Sequence, residues 1–298
     1  MFFATAGIEI APWVPLLVAF VISFFTSMGG VSGAFLLLPF QMSFLGYVSP
    51  SVSATNQLFN IVAIPSGVYR YWREGRMTWP LTWIVVAGTL PGVLVGAIIR
   101  IRYLPDPKSF KIFAAVVLLY IGTKMVRDLL GNRLATKTNS TGKTAAAPHV
   151  QVTRFTLQTL SFTFNGEQFD APVASIFVLS LVVGIVGGIY GIGGGAIIAP
   201  FLITLWRLPV HAVAGAALMG TFVTSVAGVV FYQAIAPLYS NLSIAPDYPL
   251  GILFGIGGMT GMYLGARCQK HVPAQAIKWM LAAIIVSIAL KYIFEAVQ

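Results

Sequence analysis

Five polar residues, Ser53, Thr55, Asn56, Gln57 and Asn60, stand within about two helical turns of one otherwise apolar segment. Asn56 and Asn60 are four residues apart and share a helix face, with Gln57 beside them. Neutral amides and hydroxyls can bind an oxyanion without cancelling its charge, although each could also serve as an interhelical hydrogen bond. A later segment offers Thr221, Thr224 and Ser225, and an earlier one Ser32 and Gln41. Two glycine-rich stretches add a second kind of donor. Gly30-Val31-Ser32-Gly33-Ala34 leads to Pro39-Phe40, and Gly191-Ile192-Gly193-Gly194-Gly195 leads to Pro200-Phe201. A helix interrupted in an apolar medium frees backbone N–H groups at its new N-terminus, and those groups attract anions. The expected binding residues are therefore Ser32, Gly33, Asn56, Gln57, Asn60, Gly193, Gly194, Gly195, Thr221 and Ser225. Arg70, Arg207 and His211 are placed at gates or pathway mouths.

Other chemistry is disfavoured. All eight acidic residues (Glu9, Glu74, Asp106, Asp128, Glu167, Asp170, Asp247 and Glu295) fall in loops or at segment ends. Cation transport and proton relay usually need a carboxylate inside a span, so a coupled proton would travel on the substrate. The single cysteine, Cys268, excludes an intramolecular disulfide and a multi-cysteine metal site, and no metal or cofactor is expected. Gly30-Val31-Ser32-Gly33 and His211 with Gly215 match an intramembrane Ser–His dyad, a catalytic reading. Against it, Ser32 aligns with Gly193 when the two glycine-rich stretches are compared, so their shared feature is backbone.

The elements that carry these residues are membrane elements. Of 298 residues, 57% are hydrophobic and 9% charged, against about 25% charged in soluble chains. The net charge of +10 is spread between apolar runs, as the positive-inside rule expects, and not gathered for nucleic acid. The start of the chain lacks a positive n-region, so the first apolar run reads as a retained span. Ten segments emerge: 12–29, 31–48, 51–72, 79–100, 108–130, 172–190, 192–207, 209–235, 247–268 and 275–297. The second and seventh are short for spans. Glycine triplets at 88, 92, 96 and 257, 261, 265, Pro80 and Pro249, and Lys111/Lys124 and Lys278/Lys291 recur in the same order as the two breaks. The fold expected is an all-α integral membrane protein of two homologous five-segment repeats, inverted, with broken or re-entrant helices at the glycine-rich breaks. Re-entrant second and seventh segments would instead leave eight spans and parallel halves. Residues 1–130 form the first repeat and 172–298 the second. Residues 131–171 form a cytoplasmic linker with a short β-hairpin at Asn165-Gly166. Arg70, Arg73 and Arg76 place the loop after segment three in the cytoplasm and both termini outside, while Arg100, Arg102 and Lys108 argue against that orientation.

GIYGIGGGAIIAPFL (188–202) followed by LPVHAVAGAAL (208–218) resembles the signature of the TauE/SafE sulfite exporter family. GGVSGAFLLLPF followed by SPSVSATNQL is similar to its diverged first copy, and FTFNGEQFDAP to a connector seen in part of the family. The resemblance implies a secondary carrier that moves sulfite or an organosulfonate such as sulfoacetate across a bacterial inner membrane, by export and alternating access. An anion channel is the alternative. The expected partners are the small anionic substrate and the lipid bilayer, with no nucleic acid and with a homodimer left open.

Overall fold

Prolines and apolar runs set the helix boundaries. The computed structural model describes residues 1–29, 32–73, 75, 77–135, 150–156, 158–164, 166–268 and 274–297. Within them run α1 (Trp13–Gly29), α2 (Ala34–Ser43), α3 (Ser51–Ala63), α4 (Pro65–Arg73), α5 (Trp79–Arg102) and α6 (Pro107–Ala135). The later helices are α7 (Val173–Tyr190), α8 (Gly195–Trp206), α9 (Val210–Ile235), α10 (Tyr248–Cys268) and α11 (Ala274–Val297). Pro65 and Pro107 open their helices and Pro80 is the second residue of α5. A proline near a helix start gives up an N–H that had no intrahelical partner there. Asp106 caps α6: its Oδ2 accepts the Ser109 N–H at 2.9 Å, which holds the carboxyl below the usual carboxylate range. The segment read as 51–72 is two helices, because Pro65 cannot donate to residue 61 and its ring crowds that carbonyl.

Among the described residues, five helices, α5, α6, α7, α9 and α10, contain stretches long and apolar enough to cross a membrane. The apolar helices α2 and α8 have 10 and 12 residues, or about 15 and 18 Å of rise against about 30 Å of hydrocarbon. Large apolar side chains face outward along these helices, Leu17, Val21 and Phe25 on α1 and Val178 and Val182 on α7 among them. Outward apolar stripes suit a lipid surround.

The all-α expectation is corrected to mostly helical, because two small sheets accompany the helices. β1 (Phe2–Phe3) pairs with β2 (Ile8–Glu9), where no strands were expected. β3 (Val150–Phe155), β4 (Thr159–Phe164) and β5 (Glu167–Pro172) form an antiparallel meander. Its β4–β5 turn passes Gly166 at φ 84°, and Phe162 pairs with Phe169 across it, rings 5.7 Å apart. β3 is a third strand beyond the expected pair. Asn165 and most of the linker before β3 lie outside the described residues.

Glycine runs fix the helix pairs. In α10, Gly257, Gly261 and Gly265 meet the carbonyls of Leu16, Phe20 and Phe24 of α1. In α5, Gly92 and Gly96 meet the carbonyls of Leu181 and Ile185 of α7, while Gly184 and Gly188 return the contact to Thr89 and Val93. In both pairs the numbers rise together, so the helices run parallel. α3 runs parallel to α10 (Leu58 at Gly251, Val62 at Gly255), and α5 parallel to α9 (Thr78 at Ala212, Val85 at Gly220). By contrast, α3 runs antiparallel to α9 (Gln57 at Gly228, Asn60 at Ser225). α6 runs antiparallel to α11 (Lys111 at Glu295, Gly122 at Ile285). The centre of the molecule is therefore the α3–α9 seam, flanked by both breaks.

A Cβ on Gly261 would stand 2.2 Å from the Phe20 carbonyl oxygen, so backbones must separate. Gly261→Leu is expected to abolish the monodisperse peak in detergent size-exclusion chromatography. Gly166→Asn, at an open turn where asparagine tolerates positive φ, should leave the peak unchanged.

Candidate functional site

The chain turns sharply after α7. Gly191 adopts φ 82° and Gly193 φ 74°, left-handed values that suit glycine. Gly191 also lies against the Ser53 backbone, its would-be Cβ 2.4 Å from that carbonyl oxygen. Gly195 opens α8 in similar contact with Ala217 and Thr221 of α9.

This geometry places the end of α7 beside the start of α8, and α3 treats the two ends differently. Ser53 Oγ donates to the Ile189 carbonyl (3.1 Å), Asn56 Nδ2 to Gly191 (3.1 Å) and Asn60 Nδ2 to Ile192 (3.1 Å). Three carbonyl oxygens at this helix end are thus occupied by side-chain donors. Among the described residues, no hydrogen bond is made to the N–H groups of Gly193, Gly194 or Gly195. Free donors and quenched acceptors at one point give a local surplus of positive potential, the physical requirement for an anion.

Asn56 also reaches the first break, donating to the Ala34 carbonyl at 3.2 Å, while its Oδ1 accepts from Gln41 Nε2 at 3.4 Å. Its amide is fully committed to protein partners and ties both breaks to α3. Asn60 Nδ2 also lies 3.5 Å from Ser225 Oγ, but among the described residues its Oδ1 has no partner. Gln57 differs again. It is fully buried against Gly228, and neither its Nε2 nor its Oε1 is hydrogen-bonded among the described residues. Thr221 Oγ1 donates to its own helix at Ala217 (2.8 Å), and Thr221 and Ser225 wall the space beside Gly193.

At the first break, Gly33 caps α2 and lies against Ser23 and Thr26 of α1 and Phe59 of α3. Ser32 Oγ accepts from the Ala34 N–H at 3.3 Å. Gly30 and Val31 lie outside the described residues. The three gate candidates stand elsewhere. Arg207 is an exposed αL residue (φ 53°) at the end of α8, about 18 Å of helix from Gly195. His211 is in the first turn of α9 and Arg70 in α4; their side chains lie outside the described residues. The structure gathers Asn56, Asn60, Gly193, Gly194, Gly195, Thr221 and Ser225 around the second break, sets Gln57 next along the α3–α9 seam against Gly228, and does not bring Arg207 there.

The list of expected binding residues left out four contributors. Ser53 and Gln41 were visible as polar residues within apolar segments, but nothing local showed which carbonyls they serve. Ser23 of α1 and Thr89 of α5, against which Gly33 and Gly194 pack, carry no pattern of their own.

The family model for the sulfite exporter TauE/SafE matches residues 15–292. The chain belongs to the TauE/SafE family. It is 22% identical over 283 residues to "Probable membrane transporter protein YunE" of Bacillus subtilis (strain 168), covering 91% of this chain and 93% of that protein. It is 26% identical over 129 residues to "Probable membrane transporter protein YdhB" of the same organism, covering 41% of this chain and 49% of that protein. No solved structure gives a significant match. Membership makes the chain a multi-pass membrane transporter, and the motif that carried the resemblance, 188–202, is the α7–α8 break itself.

The commitments of the two amides separate stability from function. Asn56→Ala removes three hydrogen bonds; at about 0.6 kcal/mol for each in a membrane setting, a loss near 2 kcal/mol and a melting temperature several degrees lower are expected. Gln57→Leu removes no bond and relieves a buried unpaired amide, so its melting temperature should equal or exceed the parent's. Detergent thermal-shift measurements on both variants check the ordering.

Proposed function

We propose that this transporter carries sulfite or a small organosulfonate, with the anion bound at the α7–α8 break at mid-membrane. The observation that carries the reading is the donor surplus there: α3 occupies the carbonyls of Ile189, Gly191 and Ile192 and leaves the N–H groups that open α8 free. The surplus rests on backbone dipoles and amides, with no Lys or Arg in the cluster. Such a site holds a small anion without the tight ion pair that would slow its release. Gln57 supplies an unpaired donor and Asn60 Oδ1 and Gln57 Oε1 unpaired acceptors. That mixture suits an oxyanion that carries a hydroxyl or its own proton, and so suits proton movement on the substrate. Thr221 and Ser225 complete the wall. In this reading Asn56, Ser32 and Gly33 shape the breaks, and Arg70, Arg207 and His211 act where the pathway meets water.

Two inverted repeats support alternating access. Pair α1 with α7, α2 with α8, α3 with α9, α5 with α10 and α6 with α11. Then the contact of α1 with α10 is the counterpart of α7 with α5, and α3 with α10 the counterpart of α9 with α5. All four contacts are parallel, whereas the equivalent helices α3/α9 and α6/α11 meet antiparallel. These directions agree with ten alternating segments and with a pseudo-two-fold axis in the membrane plane; parallel halves would make α6 and α11 parallel. Full burial of Asn56, Gln57 and Asn60 describes an occluded centre, which favours a carrier over an open channel. Rocking one repeat against the other would then expose the site to each side in turn.

The proposed orientation puts both termini outside and the β3–β5 meander in the cytoplasm of a bacterial inner membrane. Arg100 bears on this. It counted against that orientation as a loop charge, yet its side chain is fully buried in α5, which weakens the objection. Export is the direction the family's name suggests.

Purified protein in proteoliposomes should show saturable movement of sulfite or a sulfonate that exceeds movement of chloride and sulfate. Gln57→Leu, folded as the parent is, should lower that flux at least tenfold. Parent liposomes no leakier to these anions than empty ones would remove the substrate assignment.

A further inference from the structure

One buried charge is unused by the site. Arg100, in the last turn of α5, is fully buried, its guanidinium carbon 3.7 Å from the centre of the Phe110 ring. It donates from Nη1 to the Leu104 carbonyl and from Nη2 to the Val48 carbonyl at 3.3 Å. Nε has no partner, and among the described residues no carboxylate pairs with it. A positive charge inside a membrane protein costs several kcal/mol unless something offsets it; carbonyl dipoles and an aromatic face do so only in part. Tyr232 of α9 packs with Ala97 and Ile101, the α5 residues that flank Arg100, and among the described residues its hydroxyl is also fully buried and unpartnered.

The placement of this pair is informative. Thr221, Ser225, Gly228 and Tyr232 follow one another on α9 at steps of four, three and four residues, a single helix face. Facing them in turn are Gly193, Asn60, Gln57 and Ala54. Five of the seven buried side-chain polar atoms without partners among the described residues lie in order along this seam: Asn60 Oδ1, the two amide atoms of Gln57, Tyr232 Oη and Arg100 Nε; the other two are Ser23 Oγ and Gln41 Oε1. The row climbs from the break toward the ends of α5 and α9, about 16 Å from Thr221 to Tyr232. At its far end the loop that carries Ile244 packs on Tyr232. The same loop is tied to the β1–β2 hairpin by Ser243 Oγ, which donates to the Thr5 carbonyl at 2.8 Å, and by Asp247 Oδ2, which accepts the Ala6 N–H at 3.1 Å.

We propose that Arg100 and Tyr232 form a second anion subsite, a way station between the central break and the membrane face at which α5 and α9 end. Its ligand is a small oxyanion held by the Arg100 Nε–H and the Tyr232 O–H, under the loop that bears Ile244. The inference rests on the anion-transport reading for its ligand class. It adds a stepping point whose donors, unlike those of the break, include a full charge.

The test uses the full-length protein in detergent and in proteoliposomes, with sulfite and a sulfonate as probes, and the variants Tyr232→Phe and Arg100→Gln. Among the described residues the Tyr232 hydroxyl has no partner, so Tyr232→Phe should melt as the parent does without anion. It should show an anion-dependent rise in melting temperature smaller than the parent's, and a KM for flux raised at least about tenfold, the worth of one hydrogen bond to a charged ligand. Arg100→Gln should raise KM more than Tyr232→Phe does, and Arg100→Lys should recover part of the loss. Should Arg100→Gln fail to fold, Tyr232→Phe decides alone. A parent that shows anion-dependent stabilisation but no flux, with the stabilisation diminished in Tyr232→Phe, would sustain the subsite while defeating the transport assignment. Parent-like stabilisation and KM in Tyr232→Phe would overturn the subsite even if the central site transports as proposed. So would a parent that anions do not stabilise.

Discussion

A helix that ends inside an apolar environment leaves carbonyl oxygens with no acceptable partner, and water is not at hand to supply one. The α7–α8 break meets that constraint with three side chains from one helix. Ser53, Asn56 and Asn60 present donors at successive turns of α3, and the carbonyls of Ile189, Gly191 and Ile192 accept them. Unpaired, those oxygens would repel any anion and destabilise the turn. Paired, they leave the N–H groups of Gly193, Gly194 and Gly195 as unspent donors at that point among the described residues.

The rest of the architecture follows from bringing α3 close enough to do this. Gly191 must lie on the Ser53 backbone, and Gly228 must yield its side-chain space to the Gln57 amide. Glycine-lined pairs, α1 with α10 and α5 with α7, then brace the seam from both sides. Dispersion at short range, and not hydrophobic exclusion from water, is what such contacts offer in lipid, which is why they need small residues.

The two breaks are unequal. Asn56 serves both, donating to Ala34 at one and Gly191 at the other, but the three residues of α9 that align with Thr55-Asn56-Gln57 are Ala214, Gly215 and Ala216. The first break relies instead on Ser23 and Thr26 of its own preceding helix, packed against Gly33. In the proposed repeat, then, duplicated backbone geometry carries a polar lining that comes mainly from the first half. A substrate would meet the second break as its binding surface and the first chiefly as support.

Much of this was legible in the chain because the bilayer imposes long-range rules on short-range composition. Segment length, the glycine breaks, the recurring triplets and the cluster at 53–60 are each visible within a window of ten or twenty residues, and the helices fall where those windows put them. The split of the third segment was also written there, at Pro65, but a proline inside an apolar run reads equally as a kink. What the sequence could not say is which buried polar groups are satisfied. Asn56 and Gln57 are adjacent, amide-bearing and equally buried, yet one makes three hydrogen bonds and the other none. Arg100, at a segment end, was indistinguishable from a loop charge until α6 and α9 closed over it. The sequence by itself determined where backbone would be broken and which residue types could line the break. Only the tertiary structure decided which donors remain free, because a hydrogen bond between residues 135 positions apart, as between Asn56 and Gly191, exists only once the helices have packed.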